Sequence, residues 1–155
     1  MFAAVSVVVA AAAVVPLLLL RGDDDSRLTK QAYARRVTAI YAAVGTELGR
    51  PMPGRRRKEI SAGLRSATAF LDRAADELAT LRPPTDAEAD HRALVQSTRD
   101  YARQVALVRA SVDFGDVGTV VAHLRGVTAP AAIAATIRDL TRKGYRIPVR
   151  LRAVR

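Results

Sequence analysis

The chain has 155 residues, half of them hydrophobic and 26% charged, with 25 Lys and Arg against 15 Asp and Glu for a net charge of +10. That hydrophobic content excludes a wholly disordered chain, which lacks the apolar surface needed to offset chain entropy. The absence of cysteine excludes disulfides, thiolate metal sites, iron–sulfur clusters, a cysteine nucleophile and lipidation at cysteine.

Phe2 to Leu20 form one apolar run, with Ser6 as a weak polar interruption. As a helix this run is roughly 28 Å long, close to the ~30 Å hydrocarbon core of a bilayer. The reading is a transmembrane anchor or uncleaved signal over residues 1–21. A cleaved signal peptide is the competing reading. It calls for a basic n-region and a small-residue cleavage site, whereas no Lys or Arg precedes the run and Leu20-Arg21-Gly22 places a leucine at −3. Pro16 is compatible with a spanning helix. Arg21, Arg27, Lys30, Arg35 and Arg36 follow the run, so the positive-inside rule points to a cytoplasmic carboxyl-terminal domain.

Residues 22–28 read as a polar linker. Residues 29–145 then carry four helical patterns with punctuation between them. The first runs from Thr29, a capping residue, to Gly49, with Tyr33, Val37, Ile40, Val44 and Leu48 on one face. The second spans Arg55 to Leu81, with Ile60, Leu64, Ala67, Leu71, Ala75, Leu78 and Leu81 as its stripe, and Pro83-Pro84 stops it. The third starts at a capping-box pattern, Thr85 with Glu88. It shows Leu94, Thr98, Tyr101, Val105, Val108 and Val112 to the core, and Gly115 terminates it. The fourth, capped by Asp116, carries Val117, Val120, Val121, Leu124, Val127, Ile133, Ile137 and Leu140 and ends at Gly144. Pro130 inside it removes a helix hydrogen bond and should kink or split it near Thr128. Short connections make the expected fold all-α: the N-terminal transmembrane helix followed by an antiparallel four-helix up-down bundle. Residues 146–155 form a basic tail.

The stretch Gly22-Asp23-Asp24-Asp25, then Leu28-Thr29-Lys30-Gln31-Ala32-Tyr33, is followed by Leu81-Arg82-Pro83-Pro84 with His91 downstream. Phe114-Gly115-Asp116 and Gly144-Tyr145-Arg146 come after. In this order the motifs resemble a broad group of uncharacterised, secreted or lipid-anchored helical proteins of actinobacteria, over about residues 15–148. The resemblance implies an extracytoplasmic domain, a lipobox cysteine and a cysteine pair tying the first helix to the carboxyl end. This chain has Arg21 at the lipobox position, Tyr41 near the first half-cystine and Ile147 or Pro148 near the second. The apolar run itself must therefore anchor, and helix packing must hold the ends together.

The residues point to no catalytic site, metal site or cofactor. Glu88 and His91 fit Glu-x-x-His, but a di-metal site needs a second copy and further glutamates, and the residue three before His123 is Val120. His91 is expected half-buried beside Leu94. No Gly-x-Ser-x-Gly elbow or Gly-rich phosphate loop occurs. Asp72, Asp76 and Glu77 read as an ion-paired surface. The informative feature is basic charge. Arg55, Arg56, Arg57 and Lys58 open the second helix, where the helix dipole disfavours cations; the placement reads as a solvated loop first and as an anion site second. Arg146, Arg150, Arg152 and Arg155 alternate with apolar residues in the tail. These eight are the candidate contacts for an anion or lipid.

Bundle order puts the Pro83-Pro84 turn and the tail near the membrane, and the Arg55 cluster and Gly115 turn away from it. The tail is then placed to meet anionic lipid, and the Arg55 cluster to meet a soluble or cell-wall polyanion. The resulting expectation is a non-enzymatic, single-pass, envelope-facing binding or structural protein of the cell membrane. Its expected partners are an anionic surface or a protein. The alternative is a cytoplasm-facing module that binds acidic lipids or nucleic acid. Nucleic acid is the weaker partner, because no helix-turn-helix, aromatic platform or zinc finger is visible.

Overall fold

A computed structural model of the protein describes residues 27–51, 54, 56–115 and 117–148. The apolar run, most of the linker, Arg55, the capping residue Asp116, and Arg150, Arg152 and Arg155 lie outside the described residues. All regular structure among the described residues is helical: α1 (Lys30–Leu48), α2 (Arg57–Thr80), a 3-10 turn (Thr85–Ala87), α3 (Glu88–Phe114), α4 (Val117–Arg125) and α5 (Ala129–Arg142).

Local chemistry sets the helix ends. Thr29 caps α1, its Oγ1 accepting from Ala32 N–H over 3.2 Å. At the start of α2 the Glu59 carboxylate accepts from Arg56 N–H at 3.1 Å. Gly115 closes α3 in the left-handed region at φ 77°, and Gly144 follows α5 at φ 88°, where a Cβ would crowd the carbonyl. The expected Thr85–Glu88 capping box does not form. Residues 85–87 wind into a 3-10 turn with no side-chain cap at either Pro84 or Ala87, and Glu88 pairs with Arg27 instead.

The fourth helical pattern resolves into α4 and α5, broken at residues 126–128. Pro130 falls in the first turn of α5, where its missing N–H leaves no helix bond unmade. The break has a partner in α3: Gln104 Oε1 accepts from the N–H groups of Thr128 and Ala129, each at 3.1 Å. A side chain 25 residues earlier in the chain thus caps α5.

α3 is the central helix, packing against α2, α4 and α5, while α1 packs against α2. The core joins Tyr33, Val37, Ile40, Tyr41 and Val44 of α1 to Leu71, Ala74 and Leu78 of α2, Leu94, Ala102 and Val105 of α3, and Ile133, Ile137 and Leu140 of α5. Burying one such Leu or Ile contributes roughly 1.5–3 kcal/mol. Tyr145 and Ile147, beyond α5, also lie in the core, so the packed chain continues past its last helix. No residue of α4 is buried.

By length and composition, Val117–Arg142 is the one described helical stretch apolar enough to cross a membrane. The break at residues 126–128 interrupts it, and Ala129, Ile133, Ile137 and Leu140 of α5 are committed to the protein core.

Candidate functional site

Three separate stretches of chain meet at one end of the helices: the start of α1, the α2–α3 connection and the segment after α5. Leu28 N–H donates to Arg82 C=O over 2.9 Å. Arg27 donates to Pro83 C=O at 3.2 Å and pairs with Glu88. Asp86 is the hub: its Oδ2 lies 2.6 Å from Lys30 Nζ, and its Oδ1 accepts from the Tyr145 hydroxyl at 2.7 Å. Lys143 Nζ donates to Asp86 C=O at 2.9 Å and to Asp90 Oδ2 at 2.8 Å. Lys30 also lies 5.1 Å from the Tyr145 ring centroid, within cation–π range.

Beneath these ion pairs sits an aromatic layer. Tyr33 packs edge-on against both His91 and Tyr145, with centroids 5.8 and 5.6 Å away. Its hydroxyl lies 3.2 Å from His91 Nδ1. His91 is 7% exposed, more deeply placed than the half-burial its sequence position suggested. Lower in the bundle, the Tyr41 hydroxyl and Thr98 Oγ1 lie 2.8 Å apart.

The electrostatics follow from this packing. The Lys30 ammonium, then the Tyr145 hydroxyl, hold the Asp86 carboxyl below the usual carboxylate range. Burial depresses the His91 imidazole. Burial raises the Tyr33 phenol, and burial followed by the Asp86 hydrogen bond raises Tyr145. Burial pushes the Tyr41 phenol up to about 12.

On the outer side of this cluster, Arg27, Arg82, Arg92, Glu88 and His91 line an open groove of about 430 Å³ together with Leu81 and Pro83. Among the described residues no three His, Asp or Glu side chains converge as metal ligands. Glu88 is engaged by Arg27 and His91 Nδ1 by Tyr33, so the Glu-x-x-His spacing is used for packing and pairing. Asp76, in the acidic stretch of α2, lies 3.6 Å from Arg99.

The described candidate anion contacts fall at opposite ends. Arg146 is exposed immediately after the buried Tyr145, at the Asp86 end. Arg56, Arg57 and Lys58 are exposed at the start of α2. A Cβ built on Gly115 would lie 3.1 Å from Arg57 Nη1, so this basic group sits beside the α3–α4 turn. Of the eight candidates, the four described ones are thus divided between two ends, Arg56, Arg57 and Lys58 at one and Arg146 at the other. The structure exposes a cluster that sequence reading missed, built from Lys30, Tyr33, Asp86, His91, Lys143 and Tyr145. The signal available for it was slight: Tyr33 on an apolar stripe, and His91 three residues before Leu94.

No protein-family model, curated protein or solved structure matches the chain.

Proposed function

We propose that the protein is a single-pass, membrane-anchored antiparallel helical bundle that faces the cell envelope and binds an anionic surface without catalysing a reaction. One observation carries this reading: the start of α1 and the segment after α5 are joined through Asp86 at the same end of the bundle. An apolar anchor preceding residue 22 and a basic tail following Tyr145 would then emerge side by side. The tail's arginines would lie against the headgroups of the bilayer that holds the anchor. Each cation near an anionic surface gains about 1 kcal/mol, fading within a Debye length. The resemblance of its motif order to secreted actinobacterial helical proteins supports an exterior location.

A test of the lipid contact replaces Arg146, Arg150, Arg152 and Arg155 with Gln, which leaves the buried Ile147 in place. Flotation of the 27–155 domain with anionic vesicles should fall sharply and become insensitive to salt. Unchanged flotation would sink the tail's role. Location is tested by protease treatment of intact cells that carry a carboxyl-terminal epitope. Digestion supports the envelope reading. Protection until lysis supports the cytoplasm-facing alternative, which the basic residues Arg21, Arg27, Lys30, Arg35 and Arg36 after the apolar run favour. Acidic lipids of the inner leaflet or nucleic acid are then the ligands to test.

A further inference from the structure

Among the described residues, the exposed large apolar side chains all lie on α3 and α4. They are Leu107 and Phe114 on α3 and Val117, Val121 and Leu124 on α4, with Phe114 87% exposed. Leu107 and Phe114 are two helical turns apart on one face of α3. Val117, Val121 and Leu124 have the four- and three-residue spacing of a single α4 face. α4 lies against α3 through the side that carries Thr119, Val120 and His123, its half-buried residues: His123 Nδ1 is 2.7 Å from Ser111 Oγ, and the chain beyond α4 is held at Gln104. Val120 is half-buried on the α3 side, but Val117, Val121 and Leu124 are turned toward solvent, where a surface helix packed on a core would show polar residues. Contiguous apolar surface of this kind marks an interaction site.

Its surroundings identify the occupant. The Arg57 guanidinium sits at the Gly115 turn between α3 and α4. Arg56 and Lys58 flank Arg57, and Arg125 ends α4. Asp113, and Asp116 in the sequence, offset part of this charge. An apolar helix face bordered by cations is the pattern of a helix that lies in the headgroup boundary of an anionic bilayer.

We infer that α4 is such an interfacial element: Phe114, Val117, Val121 and Leu124 enter the lipid boundary, and Arg56, Arg57, Lys58 and Arg125 meet anionic headgroups. The inference rests on the membrane attachment proposed above and names the bilayer as the anionic surface for the α2 cluster too, in place of a wall polymer. α4 has nine residues and is about 13 Å long, too short to bind firmly alone. An anchor in the same chain makes the contact intramolecular, so a weak patch suffices. Leu107 lies about 24 Å along α3 from His91, so an upright bundle would hold α4 off the surface. The inference therefore requires the bundle to recline, with α3 running along the bilayer.

The chain contains no Trp, so single reporters are unambiguous. Leu124→Trp, and Ala39→Trp on the exposed face of α1 as control, are placed in the full-length protein and reconstituted into vesicles with brominated lipid. The expected result is blue-shifted emission from position 124, quenched by brominated lipid in anionic vesicles and much less in neutral ones. Position 39 should stay unquenched. Adding Val117→Asp and Val121→Asp to the Leu124→Trp protein should abolish the quenching while the protein still floats with the vesicles. Four results would overturn the inference: no quenching at position 124 in protein that floats, equal quenching at both positions, equal quenching in neutral vesicles, or a blue shift that depends on protein concentration and not on lipid. The last would make the patch an interface with a second copy. Protein that fails to float would remove the inference together with the anchor on which it rests.

Discussion

The Tyr145 hydroxyl donates to Asp86 Oδ1 over 2.7 Å, tying the chain after the last helix to the turn before α3. The Tyr145 ring, 1% exposed, packs edge-on against Tyr33, so one residue supplies both a core contact and a hydrogen bond. The two contributions separate by mutation. Tyr145→Phe keeps the ring and should cost about 0.5–1.5 kcal/mol. Tyr145→Ala also opens a cavity and should cost about 3–5 kcal/mol. Urea denaturation of both variants checks the order; equal losses would mean the ring contributes nothing.

The cap on α5 comes from Gln104. Gln104→Ala leaves the N–H groups of Thr128 and Ala129 without that acceptor and should destabilise by about 1–2 kcal/mol. Gln104→Glu keeps an acceptor and adds charge that the helix N-terminus favours. It should match or exceed the wild-type melting temperature. Amide hydrogen exchange at residues 128–132 should rise in the Ala variant and not in the Glu variant.

Two acidic-side shifts act in the same direction. Asp86 is held below its ordinary range by Lys30 and Tyr145, and His91 is lowered by burial. In each case the unfolded chain binds the proton more readily, so stability rises with pH across the shifted range. The His91 share is complete above about 6.5 and is lost as pH falls through the folded value, and the Asp86 share begins to fall near about 4. On the alkaline side Tyr33, Tyr41 and Tyr145 hold their protons more tightly when folded, Tyr41 up to about 12. Their share is lost as pH rises past about 10. A pH series of melting temperatures should show both slopes, and His91→Gln should flatten the one that begins as pH falls below about 6.5.

Gly115 holds φ at 77°, and the atom nearest a new Cβ is the far end of the Arg57 side chain, which can move. Gly115→Ala should therefore cost about 1–2 kcal/mol, set by backbone strain, and Gly115→Asn should cost less. A thermal shift comparison of the two decides whether strain or crowding dominates.

The helices were largely legible because local rules govern them. The Thr29 cap, the Tyr33–Val44 stripe, the Gly115 and Gly144 ends and the break before Pro130 all follow from spacing and side-chain chemistry within a few residues. The Thr85–Glu88 pattern misled for a tertiary reason: Arg27, 61 residues away in sequence, takes the Glu88 carboxylate. The α4 stripe misled in the same way. Its valines and leucine have the period of a core helix, yet only Val120 shares the half-buried side with His123, and Val117, Val121 and Leu124 are exposed.

Composition and periodicity by themselves determined that the chain is helical, that it cannot use cysteine chemistry, and where its basic clusters lie, because each depends on residue type and short-range backbone geometry. Only the tertiary structure decided that Tyr33, Asp86, His91, Lys143 and Tyr145 share one cluster, that Gln104 caps α5 and that α4 turns Val117, Val121 and Leu124 outward. Those outcomes depend on which helix faces which and in what register. The packing of the whole core sets that register, and no local stretch of sequence encodes it.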